Sequence, residues 1–402
     1  MPNTYMSFSS LRSLQKFAFA FVIIIFISCN YATSKKDVVK DTTTIVNAPI
    51  DSLSASKVPN EYNNLARFIA GTKQDNENDF KAMEATPYWS NFSKNITQKF
   101  NTLDSTRYSK MRAWRNTILN EVNSNTEKLF YPFSGPDFLN AYTFFPNAKE
   151  YTMLALEPSG KLPSIDELKL DTAHNYFASI ENGLKAILSF SFFRTEAMEK
   201  DFANNQLNGA VHLVSLFVIK TGNKIIDVKP ATINNLGEIV LTDKNDCTIN
   251  GFQILFEDGI THQNKIINYF SIDVSDLALQ TNPCFKAFAS NLQAVTTYLK
   301  SASYLLHSTN FSFMRNTIIA HSKNILQDDS GIPLLFFKDT VWNKTFYGTY
   351  DKPINLFRNK FQANLHKVYN DSLSKVNIKK LPFGIGYDYK QNESNLMLFR
   401  KK

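Results

Sequence analysis

The stretch HSKNILQDDSGIPLLFF, His321 to Phe337, holds an imidazole and two adjacent carboxylates on one short segment. His321, Asp328 and Asp329 are residue types that exchange protons or hold cations, so they are candidates for general acid/base work. The spacing of Phe311, Met314, Ile318 and Ile325 predicts a helix ahead of the two aspartates. Acids at a helix C-terminus meet its negative end, where cations are favoured, and local conflicts of this kind concentrate at functional sites. Asp137, in the Gly135-Pro136-Asp137 turn, and Glu157, at the end of a predicted strand, are further acids that could contact a ligand. The competing account is that Asp328 and Asp329 bond turn amides while Ser330-Gly331 closes the helix.

Other templates for chemistry are incomplete. Ser54-Ala55-Ser56-Lys57, Ser93-Lys94-Asn95 and Lys220-Thr221-Gly222 resemble, in order, the three short motifs of penicillin-binding proteins and serine β-lactamases. That chemistry needs the first serine at the start of a core helix, whereas Ser54 lies in polar sequence close to Pro59. There is no Gly-x-Ser-x-Gly elbow, no phosphate-binding loop ending in Gly-Lys-Ser/Thr and no Cys-x-x-Cys. Asp75-x-Glu77-x-Asp79 opens like a calcium loop, but Phe80 stands where the turn needs glycine. The six histidines show no close metal-ligand spacing, so the sequence implies no metal and no cofactor.

The N-terminus carries a different kind of signal. Phe17 to Ser28 is an apolar run of twelve residues preceded by Arg12 and Lys16 without an acid. At 1.5 Å per residue it covers about 18 Å of a bilayer core of about 30 Å, too short to span comfortably. Basic, apolar and small residues in that order give an export signal. Phe26-Ile27-Ser28-Cys29 resembles the lipobox of bacterial lipoprotein precursors. The resemblance implies cleavage before Cys29 and acylation of that residue, with the lipid holding the protein on its membrane. Lys35 and Lys36 follow where surface-displayed lipoproteins of some bacteria carry acids, which points to the periplasmic face of the outer membrane. Residues 29–60 are polar and lack an apolar period, the composition of a tether.

The whole chain has 34 Phe and 17 Tyr, most of them beyond the tether, where the composition is that of a folded protein. Its formal charge is +8, but the basic residues are scattered, so a solvated surface explains them and no nucleic-acid signature accompanies them. In an oxidising compartment Cys247 and Cys284 could pair as a disulfide or remain buried thiols.

The elements that position these residues change character along the chain. Residues 61–125 read as a helical hairpin, one stripe on Trp89, Phe92, Ile96, Phe100 and Leu103, the other from Tyr108 to Val122, with Asp104-Ser105 as the break. Residues 126–402 read as an α+β body, a mainly antiparallel sheet flanked by helices. KLFYPF and EYTMLALEP read as strands about the Gly135 turn. VHLVSLFVI with KIIDV reads as one hairpin and GFQILFE with KIINYFSIDV as another. Phe285 to Leu299 and Phe311 to Ile325 read as two helices, and GIGYDY with SNLMLF as a final strand pair. These features favour a non-enzymatic, membrane-tethered envelope lipoprotein that binds a protein, glycan or small ligand. The alternative is a periplasmic hydrolase built on Asp328, Asp329 and His321.

Overall fold

The computed structural model describes residues 61–74, 78–168, 170–190, 207–244, 247–372, 377–387 and 390–402. The export signal, Cys29 and the tether lie outside the described residues, as do Ser54, Lys57, Asp75 and Glu77. Among the described residues no helix is long and apolar enough to cross a membrane.

Ten strands form one sheet: β1 Lys128–Pro132, β2 Glu150–Ala155, β3 Lys224–Ile233, β4 Ile239–Val240, β5 Asn250–Glu257, β6 Asn264–Ser271, β7 Val295–Leu299, β8 Ser322–Gln327, β9 Trp342–Gly348 and β10 Asn395–Lys401. Their order is β4-β3-β5-β6-β2-β1-β7-β8-β10-β9. The sheet is mixed, five pairings antiparallel and four parallel. All four parallel pairings join the middle strands β6-β2-β1-β7-β8, and antiparallel strands extend both edges. In chain order the parallel strands run third, second, first, fourth and fifth, a doubly wound order that reverses between β1 and β7.

Alternation along these strands feeds two cores, because successive side chains leave opposite faces. Leu129, Tyr131, Met153 and Leu326 join the core under Leu65, Phe68, Trp89, Phe177 and Leu213. Phe130, Leu154, Ile325 and Phe399 join the core under Phe285, Met314, Leu365 and Tyr369. The helical N-terminal region therefore shares one core with the sheet.

Several segments differ from the sequence reading. KLFYPF and EYTMLALEP are β1 and β2, but they pair in parallel, since Asp137 starts a crossover helix, Phe138–Phe144, by accepting from the Asn140 amide at 3.2 Å. VHLVSLFVI forms the helix Val211–Lys220, in which every residue from Val211 to Val218 is buried; a run wetted on no side shows no period by which helix and strand can be told apart. Pro87–Leu103 passes through a π-helical turn, Asp104–Tyr108, directly into Ser109–Ile118 without the expected break. Asp104 binds Arg112 at 2.6 Å instead of ending a helix, and the Ser105 hydroxyl returns to the Thr102 carbonyl at 3.0 Å. The helix containing Phe285 stops at Asn291, and Val295–Leu299 is β7, where Val295, Thr296, Thr297 and Tyr298 favour extended backbone. GIGYDY contributes no strand among its described residues, whereas SNLMLF lies in β10. The hairpin of β5 and β6 is present as read. Cys247 and Cys284 are joined by a disulfide, with Cα atoms 6.1 Å apart.

Candidate functional site

Parallel strands that share a direction deliver their following residues to one edge. In open α/β sheets the crevice outside these carboxyl ends, at the point where strand order reverses, is the usual ligand position. Here Asp137 follows β1, Glu157 follows β2, Asp273 follows β6 and Lys300-Ser301 follows β7, and all five line one cavity of about 100 Å³. Phe133 and Phe311 supply an apolar wall, their rings 5.9 Å apart in an edge-to-face arrangement.

The inner wall is an ordered polar network. Lys300 Nζ lies 2.5 Å from Asp137 Oδ2, with side chains 2% and 1% exposed. Asp137 also accepts from the Tyr131 hydroxyl at 3.0 Å and from Asn140 Nδ2 at 2.9 and 3.0 Å. Tyr108, on the π turn, donates to Asn140 Oδ1 at 3.2 Å, so the irregular helix supports the carboxylate through one intermediary. Burial, reinforced by the Asp137 charge, raises the Tyr131 phenol well above its ordinary range and keeps it a donor.

Asp328 and Asp329 follow β8 directly, and both are buried. They end a strand, not a helix as expected, so the conflict with a helix terminus does not arise. Asp328 accepts from the Ser301 amide at 3.1 Å, the Ser330 amide at 3.0 Å and the Ser330 hydroxyl. Asp329 accepts from the Tyr304 hydroxyl and from Asn395 Nδ2 at 3.0 Å. Burial, then the neighbouring Asp329 charge, pushes the Asp328 carboxyl up to about 7. Burial also raises Asp329, against the pull of its hydrogen bonds from Tyr304 and Asn395.

The fold separates His321 from this pair. His321 ends the helix before β8, and the six residues of that strand place it about 20 Å from Asp328 at roughly 3.3 Å per residue. The histidine near the aspartates is His307, whose ring is 5.3 Å from Tyr304 and whose pKa burial, then Lys360, lowers to about 4. The serine and lysine motifs do not assemble either. Ser93 gives its hydroxyl to the Gly71 carbonyl at 2.7 Å, and Lys220 lies over the Phe100 ring. Among the described residues no group of three His, Cys, Asp or Glu side chains is arranged to hold a metal ion.

No family model matches this chain, and no curated protein matches it either. The site therefore has to be read from its own chemistry. Asp137 and Glu157, singled out in the sequence as acids in a turn and at a strand end, are brought to the same cavity. Lys300 and Ser301 carry no local signal, because Leu292, Val295 and Leu299 fall at helical spacing. Read as a strand on its run of β-branched and aromatic residues, the same segment would have placed Lys300-Ser301 at a strand end beside the other acids.

Proposed function

We propose that this chain is an envelope lipoprotein anchored through acylated Cys29, on the periplasmic side of the outer membrane. Its body binds a small, hydroxyl-rich ligand of neutral or positive charge in the cavity above β1, β2 and β7. The observation that carries this reading is the convergence of Asp137, Glu157, Asp273 and Lys300 at the reversal point of the parallel strands. Ionised carboxylates only accept hydrogen bonds, so they suit ligand hydroxyls, and an acid following the second parallel strand is the position that holds ribose hydroxyls in dinucleotide-binding folds. Three acids line the cavity against one lysine, and that lysine is already matched to Asp137. Anions are thus disfavoured. The dinucleotide comparison is one of fold only, and the turn after β1 here is Phe133-Ser134-Gly135-Pro136, without the glycine pattern that admits a pyrophosphate.

A vicinal diol is common to nucleosides and to envelope sugars, and thermal-shift titration of the full chain with adenosine and with glucosamine separates the two. Saturable stabilisation by one of them, weakened at least tenfold in Glu157→Gln, is the expected result. Stabilisation indifferent to that substitution would remove Glu157 from the site. For the anchor, intact mass and membrane fractionation should show acyl chains on the wild type, with lipid and membrane retention both lost in Cys29→Ala. An unlipidated mature wild type would end the lipoprotein reading.

The hydrolase alternative draws on the raised Asp328 carboxyl, a group poised to exchange protons near neutrality. It loses His321 as a partner, so binding is the better supported reading.

A further inference from the structure

The buried and the exposed parts of this cavity differ in chemistry. Leu156 and Glu157 follow β2 in succession and both line it, but Glu157 is 3% exposed and Leu156 is 52% exposed. Leu305, on the 3₁₀ turn Ala302–His307 that follows β7, lines the same cavity and is 40% exposed. Asp137 and Lys300 are buried like Glu157, and the exposed acid of the lining, Asp273, already accepts from the Ser275 amide at 2.8 Å. The polar groups are thus concentrated inside, and the mouth is bordered by leucine.

Single exposed leucines are ordinary on a protein surface. These two border one opening, beside a wall formed by Phe133 and Phe311, and apolar surface gathered around a cavity marks a place where something binds. Phe133 has φ 60°, a region that bulky side chains seldom occupy and that is met at ligand clamps. The volume sets a second limit. About 100 Å³ holds roughly seven to ten waters at about 10–15 Å³ each, which is space for one small ring. A ligand larger than one ring must leave through the mouth, where it meets Leu156 and Leu305.

We propose that the ligand is an alkyl glycoside, a single sugar ring whose hydroxyls meet Glu157 inside the cavity and whose alkyl chain leaves across Leu156 and Leu305. This rests on the cavity being the ligand site and narrows the ligand from any hydroxyl-rich molecule to an amphiphile. A bare sugar or a nucleoside leaves both leucines against water, whereas a chain lying over them removes apolar surface from water on both partners. The three acids of the lining disfavour a phosphate between ring and chain, so the class is a neutral or amine-bearing glycoside.

Titration of the full chain with glucosamine and with hexyl glucosaminide, both monomeric in solution, reads what the chain contributes. The hexyl glycoside should bind at least tenfold more tightly than glucosamine, the gain from about two buried methylenes. Combining Leu156→Asn with Leu305→Asn should cut that ratio to about threefold or less. Both side chains are exposed, so the Tm of the unliganded variant should stay within about 2 °C of wild type. Each single substitution should lower the ratio in part, which reads the same contribution if the double variant fails to fold. Equal affinity for the two probes in the wild type, or a ratio unmoved by the leucine substitutions, would overturn the alkyl glycoside; if Glu157→Gln still weakens binding, the cavity reading stands. Binding of adenosine but of neither sugar, again weakened in Glu157→Gln, would overturn the glycoside and leave a nucleoside site. Binding indifferent to Glu157→Gln, or no binding of any of the three probes, would overturn the cavity reading and this assignment together.

Discussion

Replacing Lys300 by methionine is expected to destabilise the protein by about 3–5 kcal/mol, measured by denaturant unfolding at neutral pH. The magnitude follows from burial. Lys300 and Asp137 are 2.5 Å apart and essentially closed to solvent, so removing the ammonium strands a carboxylate that water cannot reach. Tyr131 and Asn140 still donate to that carboxylate, which limits the loss without replacing the charge. Neutralising both partners should recover much of it, because a buried pair replaced as a unit leaves no uncompensated charge. The variant carrying Asp137→Asn together with Lys300→Met is therefore expected to be more stable than Lys300→Met alone. Losses that simply add would show that the two residues do not act as a pair.

Asp328→Asn should change how stability depends on pH. The Asp328 carboxyl titrates at about 7 in the fold, against about 3.9 in an unfolded chain, because it is buried beside Asp329. A carboxyl raised in this way favours the folded state fully below the unfolded value, and that contribution disappears as pH rises through about 7. The full difference is about 4 kcal/mol at 1.36 kcal/mol per pKa unit. Around it the structure places the Asp329 carboxyl and the Tyr131, Tyr298 and Tyr387 phenols, all raised chiefly by burial. His212 and His307 are lowered by burial to about 3 and about 4, and each supports folding less as pH falls below the ordinary histidine range, so they slope the other way. The informative quantity is accordingly the difference between wild type and variant. Between pH 5 and pH 8 the wild type should lose about 2–3 kcal/mol relative to Asp328→Asn, the rest being lost already between about pH 4 and pH 5. A difference that stays constant over that interval would mean that Asp328 is ionised throughout.

How far the sequence could be read depended on whether a segment is wet on one face. The β5–β6 hairpin was legible because Asp258-Gly259 marks a turn between two runs of strand-forming residues. Val211–Lys220 was not, since a helix buried on all sides carries no period. Leu292, Val295 and Leu299 fall at helical spacing across a real boundary, and Ile325 did the same beyond Ile318, so two helices absorbed the strands that follow them. Losing β7 and β8 as strands hid the parallel centre of the sheet. With it went the common edge at which Asp137, Glu157 and Lys300 meet, a relation that depends on strand order and leaves no mark in local spacing. Asp328 and Asp329 stand at the end of a strand and not of a helix, and what sets them apart is two buried carboxyls side by side.

A ligand site at the carboxyl edge of the parallel strands should be visible in a crystal structure of the full chain grown with adenosine or with glucosamine. Density is expected in the cavity, with ligand hydroxyls on Glu157 and the ring against Phe133 and Phe311. A ligand bound elsewhere on the protein, with this cavity left to solvent, would contradict it.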